Sequence, residues 1–185
     1  GGEEEETFFQ RDFEKKFFSE KTNTVFCQTF LENAHKDPIS GEIGKSIIFC
    51  VSQKHASKIT QMLNKMASQL WPEKYNSDFA VQITSNVQDS QQFTINFANN
   101  NLNGHTKFLD NYKSSKTRVC VTVGMMTTGY DCSDVLNLAL MRPVFSPTDF
   151  IQIKGRGTRK HAFEYTDEYG DKHKHEKVSF KFFDF

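Results

Sequence analysis

No apolar run in this sequence approaches the roughly 20 residues that span a bilayer, so no membrane-spanning helix is expected. No signal peptide is expected either, because Gly1-Gly2 leads into four glutamates. That start reads as a cut in a longer chain or as an acidic helix entry. Net charge is also missing. The 23 basic side chains balance 23 acidic ones, so a wide basic face is not expected and any nucleic-acid contact must be local. Cysteine is sparse, and Cys27, Cys50, Cys120 and Cys132 have no CxxC spacing, which argues against zinc. Cys50 and Cys120 sit in apolar runs, where cysteine behaves as a small hydrophobe. A reducing cytoplasm fits this usage better than secretion. Tryptophan occurs once and phenylalanine 19 times, which weights the core towards large rigid rings. What remains is 37% hydrophobic and 25% charged over 185 residues, enough for one globular domain with a real core.

Hydrophobic periodicity predicts the elements. Residues 3–18 read as a helix, with glutamates at its start and Phe8, Phe13, Phe17 and Phe18 at helical spacing. A second helix runs from a Thr22 or Asn23 cap to about Lys36, and Asp37-Pro38 breaks it. Residues 1–37 are therefore expected to form an N-terminal helical extension and residues 38–185 an α/β domain. Strands are predicted at Ser46–Val51, Phe79–Thr84, Arg118–Val123, Val135–Leu140 and Val178–Phe183. Helices are predicted from Gln53 to about Leu70, from an Asp89 or Ser90 cap to about Asn99, and from Ser146-Pro147 onward. The Asn-rich stretch 99–104 reads as a surface loop, and the polar segment 161–176 as a hairpin or loop. Alternating strands and helices imply a parallel sheet with crossover connections.

In such a sheet, ligands sit at the carboxyl ends of the strands. Three segments meet that condition: Ser52-Gln53, Thr84-Ser85-Asn86, and the loop from Gly124 to Asp131. Their hydroxyls, amides and glycines suit phosphate oxygens without net positive charge. The stretch Gln152-Ile153-Lys154-Gly155-Arg156-Gly157-Thr158-Arg159 adds two arginines one helical turn apart. Guanidinium groups stay charged and match phosphate oxygens, so both can approach one γ-phosphate. An isolated pair of this kind is usually a solvated basic helix end; Gln152, Gly155 and the Thr127–Asp131 loop upstream favour a nucleotide site.

Together these residues resemble the second RecA-like domain of superfamily 2 helicases and translocases, a P-loop NTPase-type fold that lacks the P-loop itself. Ser46–Ser52 is similar to motif IV, Thr127–Asp131 to motif V and Gln152–Arg159 to motif VI. The longer phrases Val119–Cys132, Leu138–Arg159 and Gln92–Phe97 resemble the motor (R) subunit of type I restriction enzymes, over about residues 10–185. The resemblance implies that Gly129 and Asp131 approach the ribose and phosphates of ATP. It implies that Arg156 and Arg159 act as arginine fingers, with Gln152 bridging to the nucleotide or the partner domain. Ser52, Thr84, Ser85 and Thr127 would touch the DNA backbone. Gly124 departs from the pattern, since many superfamily 2 proteins carry an aspartate there, and that aspartate's role does not transfer.

Other motifs are weaker. Gly44-Lys45-Ser46 imitates a phosphate loop, but Ile39 occupies the first glycine position and the triplet precedes a strand. Asp167-Glu168 imitates a magnesium-binding pair but lies in a polar loop beside Gly170, and reads as a turn. His173-Lys174-His175, with His161, could suggest a metal, but the His173/His175 pair in a lysine-rich loop reads as solvated, and Met125-Met126 reads as packing. The first motor domain and a nuclease cluster are not visible. The resemblance thus implies ATP with Mg2+ in the full-length protein, the Mg2+ ligands lying outside this chain, and no hydrolysis or cleavage by this chain alone. It also implies duplex DNA, methyltransferase and specificity subunits as partners, and a prokaryotic cytoplasmic setting. The alternatives are another superfamily 2 motor, of a type III restriction or repair system, and a non-catalytic RecA-like interaction module.

Overall fold

The computed structural model describes residues 2–84, 87–109, 111–123, 132–142 and 160–184. Helix α1 spans Gly2–Phe17 and carries Glu3, Glu4 and Glu5 in its first turn, where carboxylates meet the positive end of the helix dipole. Helix α2 spans Glu20–Asn33, and both of its expected ends are corrected. Ser19 is the N-cap, accepting from the Thr22 amide at 3.3 Å, and Asn23 is buried inside the helix. The helix stops short of Lys36 because Asn137 accepts from the His35 amide at 2.8 Å and donates to the His35 carbonyl at 3.0 Å. That pair of hydrogen bonds draws the chain out of the helical path.

Strand β1 (Ser46–Cys50) leads into helix α3 (Gln53–Leu70), and β2 (Ala80–Gln82) into helix α4 (Val87–Ala98). A hairpin of β3 (His105–Leu109) and β4 (Tyr112–Ser115) follows, then β5 (Val119–Thr122) and β6 (Asn137–Met141). A second hairpin, β7 (Ala162–Thr166) with β8 (Lys172–Glu176), precedes β9 (Lys181–Asp184). The central sheet runs β2-β5-β1-β6-β9, and each neighbouring pair is parallel. This is the α/β architecture that the alternating pattern predicts.

Every residue of β1, β5 and β6 is buried, as nearly continuous apolar strands require when both faces are covered. Successive side chains point to opposite faces. Ile48, Cys50, Val119, Val121, Ala139 and Met141 join Phe26 and Phe30 of α2 and Ile59 and Leu63 of α3 in one core. Ile47, Phe49, Cys120, Leu138 and Leu140 join Phe97 of α4 and Leu102 in the other. Helix α2 is thus part of the sheet's packing, and Phe30 meets Phe183 of β9 with ring centroids 5.4 Å apart. All four cysteines are buried and outside any disulfide. Burial pushes the Cys27 thiol up to about 12, so it stays protonated.

The β3–β4 hairpin was not expected from the sequence. It turns at Asn111, in the left-handed region at φ 67°, and a buried polar network fastens it below the sheet. Glu42 accepts from Tyr75 at 3.0 Å, Ser114 at 2.8 Å and Thr106 at 3.3 Å. Arg118, 1% exposed, donates to the carbonyls of Ile43 at 2.9 Å and Ser115 at 3.3 Å. Asp37 accepts from Tyr112 at 2.6 Å.

Other boundaries shift. Helix α4 starts at Val87, so Asp89 and Ser90 lie in its first turn instead of capping it. Val135 and Leu136 belong to the connection before β6, where the Leu136 amide donates to the Lys45 carbonyl at 2.9 Å. The last strand starts at Lys181, whose amide donates to the Leu136 carbonyl at 2.8 Å, whereas Val178 is 96% exposed. No helix among the described residues is long and apolar enough to cross a membrane.

Candidate functional site

The carboxyl edge of the sheet is formed, among the described residues, by Val51–Gln53 after β1, Ile83-Thr84 after β2, Val123 after β5 and Arg142 after β6. Ser52 caps α3: its hydroxyl accepts from the His55 amide at 3.1 Å. The 18-residue helix α3 therefore begins at this edge with its positive end outward. His55 lies beneath the cap, 1% exposed, stacked on Phe18 with ring centroids 4.4 Å apart. Its Nε2 lies 3.2 Å from Asn23 Oδ1, and its Nδ1 faces the Val51 amide at 3.5 Å. These partners suit the neutral tautomer with the proton on Nε2. Gln82 ties the neighbouring region in, donating to the Gln53 carbonyl at 3.0 Å and to Gln53 Oε1 at 2.8 Å.

Of the residues singled out in the sequence, Ser52 and Thr84 are placed, both at this edge on strands separated by β5, and Thr84 is exposed. Ser85, Thr127, Gly129, Asp131, Gln152, Arg156 and Arg159 lie outside the described residues, as do Gly124, Met125-Met126 and the helix predicted from Ser146. The chain enters those stretches directly from Val123 and Arg142. Arg142 Nη1 donates to the Val123 carbonyl at 2.8 Å, bridging the ends of β5 and β6 over β1.

The stretch after Asp131 is anchored at the opposite edge. Lys45, 3% exposed, pairs with Asp134 at 2.7 Å and donates to the Phe97 carbonyl at 2.6 Å. Cys132 Sγ donates to Asp134 Oδ1 at 2.7 Å. Burial pushes the Asp134 carboxyl up, but the Lys45 charge and the Cys132 and Lys45 hydrogen bonds outweigh it, holding the carboxyl below its ordinary range. The lysine of Gly44-Lys45-Ser46 is thus structural. Asp167-Glu168 sits at the turn of the β7–β8 hairpin, where Asp167 accepts from the Tyr169 and Asp171 amides, each at 2.9 Å. His173 meets Asp167 at 2.8 Å, and His161 meets Ser133 at 2.9 Å.

The chain is 25% identical over 158 residues to the endonuclease subunit of the type I restriction enzyme EcoKI from Escherichia coli K12. It is 25% identical over 152 residues to the corresponding EcoAI subunit from Escherichia coli. The chain is similar to type I restriction endonuclease subunits. These matches cover 85% and 81% of the chain but only 12% and 16% of the two R subunits. A solved fragment assigned to an HsdR subunit of a type I restriction enzyme from Vibrio vulnificus YJ016 shares the fold. Its TM-score is 0.57 at 23% identity, over 98% of this chain and 28% of that one. The parallel sheet flanked by helices therefore shares the fold of that solved fragment and agrees with a RecA-like fold. No family model matches the chain.

Sequence reading did not single out His55 and Arg142 as positions that shape this edge, or Gly44 and Lys45 as positions that shape the opposite one. A charged residue immediately before an apolar strand, as Lys45 is before Ser46–Cys50, was the available signal for one of them.

Proposed function

We propose that this chain is the second RecA-like motor domain of an ATP-dependent DNA translocase, within the R subunit of a type I restriction endonuclease. The observation that carries the reading is the sheet order β2-β5-β1-β6-β9. In that order Ser52, Thr84 and the stretches leading to Gly129–Asp131 and Gln152–Arg159 all leave from one edge. The similarity to R subunits supports it.

In this reading ATP binds between this domain and a first RecA-like domain of the same polypeptide. Gly129 and Asp131 approach the ribose and phosphates, and Gln152 bridges to the nucleotide or the facing domain. On closure, Arg156 and Arg159 reach the γ-phosphate and stabilise the charge that develops there during phosphoryl transfer. Ser52, Thr84, Ser85 and Thr127 touch duplex DNA along its backbone. The N-terminus of α3 at Ser52 suits a phosphate, because helix amides carry partial positive charge. Among the described residues no group of three or more His, Cys, Asp or Glu side chains could hold a metal ion, and the reading gives the Mg2+ that accompanies ATP to the first domain. This chain alone neither hydrolyses ATP nor cuts DNA. The methyltransferase and specificity subunits complete the complex.

The test uses the full-length subunit. Arg156→Ala is expected to leave ATP binding intact and to lower DNA-stimulated hydrolysis by about a thousandfold, the scale of an arginine finger. Undiminished turnover would refute the assignment.

A further inference from the structure

This inference rests on the motor reading above and concerns a residue that reading does not use. Strands β5 and β6 are not neighbours, because β1 lies between them. Their axes are therefore about 10 Å apart, two strand spacings. Pairing to β1 holds β5 as far as Thr122 and β6 as far as Met141. The next residues, Val123 and Arg142, lie beyond the ladder and are half-buried. Arg142 reaches over the end of β1 and donates from Nη1 to the Val123 carbonyl at 2.8 Å. A guanidinium is planar, permanently charged and a strong donor, so it fixes direction as well as distance.

One side chain thus joins the two points where the chain leaves the sheet for its nucleotide-site stretches. After Val123 comes the stretch with Gly129 and Asp131. After Arg142 comes the stretch with Gln152, Arg156 and Arg159. We propose that Arg142 is a positioning residue for ATP hydrolysis, a latch that fixes the ends of β5 and β6, from which these two stretches leave, relative to each other. Lysine could not substitute fully, since its point charge lacks the fork and its reach is shorter.

The experiment measures DNA-stimulated ATP turnover by the full-length subunit carrying Arg142→Met or Arg142→Lys, with thermal midpoints recorded alongside. In Arg142→Met, kcat should fall at least about tenfold, since an ångström of misplacement can cost about a hundredfold. The KM for ATP should stay within about threefold, because the lost contact is not with substrate. Arg142→Lys should recover part of kcat at a similar midpoint. A wild-type kcat in Arg142→Met overturns the latch. So does a loss carried wholly by KM, which would make Arg142 a direct ligand, or a loss that tracks the midpoint equally in both variants. Arg156→Ala in the same assay separates the two readings. If it retains full turnover, the motor reading fails; if it abolishes turnover while Arg142→Met is normal, only the latch fails.

Discussion

Gly44, Lys45 and Ser46 show how far one side chain's surroundings decide its meaning. A Cβ on Gly44 would lie 2.7 Å from Leu136 Cδ1, 2.8 Å from the His35 carbonyl oxygen and 2.9 Å from Leu136 Cβ. Glycine is there because two segments pass too close for a side chain. Lys45 is buried against Asp134, and Ser46 Oγ donates to the Gly44 carbonyl at 2.7 Å. All three are structural, although they spell the end of a phosphate loop. Gly44→Ala is therefore expected to destabilise the fold by about 1–3 kcal/mol, the range for overpacking, read as a lower urea midpoint. The exclusion of a phosphate loop was legible from order alone, since the triplet precedes a strand. The close approach of His35 and Leu136 was not, because those residues lie 9 and 92 positions away in the chain.

At the scale of elements, α3 was the most legible. Its apolar stripe and its stop at Trp71-Pro72 are local signals; Ala56, Ile59 and Leu63 of the expected stripe are buried, and Met62 and Met66 are half-buried. Ser52 has two roles to separate, cap and proposed phosphate contact. Ser52→Ala should cost about 1 kcal/mol of stability through the lost cap. Ser52→Asp keeps a capping oxygen but brings negative charge to the same edge. It should leave the thermal midpoint nearly unchanged and weaken duplex-DNA binding by the full-length subunit at least about tenfold, the worth of a charge-assisted hydrogen bond. Equal DNA affinity in Ser52→Asp and the parent would remove Ser52 from the interface. The β3–β4 hairpin was illegible because its polar sequence has no alternation. Its partners are instead Glu42, Arg118 and Asp37, which the fold brings to it.

At the scale of the molecule, two carboxylates, Glu42 buried and Asp134 half-buried, make stability depend on acid. Burial pushes Glu42 up, but the Arg118 charge and hydrogen bonds from Ser40, Ser114 and Tyr75 outweigh it and leave the carboxyl below its ordinary 4.5. Asp134 is held below its ordinary 3.8 in the same way by Lys45 and Cys132. Both are depressed on folding, so their contribution is fully present above the unfolded values and is lost as pH falls through the folded ones. The contribution of these two carboxylates to the denaturation midpoint should be constant above about pH 5 and decline below it. Glu42→Gln should lower stability at neutral pH and flatten that acid limb. An acid limb as steep as the parent's would show that the Glu42 network is not coupled to folding.

What this sequence determined by itself was the alternation of elements and the identity of the sheet's strands. Apolar runs of β-branched residues need cover on both faces wherever they are placed, and the stripe on α3 supplies some of it. The resemblance to restriction motor subunits was also legible, because it rests on the order of residues. Only the tertiary structure decided where strands begin, which residues the buried charges meet, and that Arg142 spans two strands that do not touch. Those outcomes depend on contacts between distant segments, where burial and hydrogen bonding override local preference, and no window of sequence contains both partners.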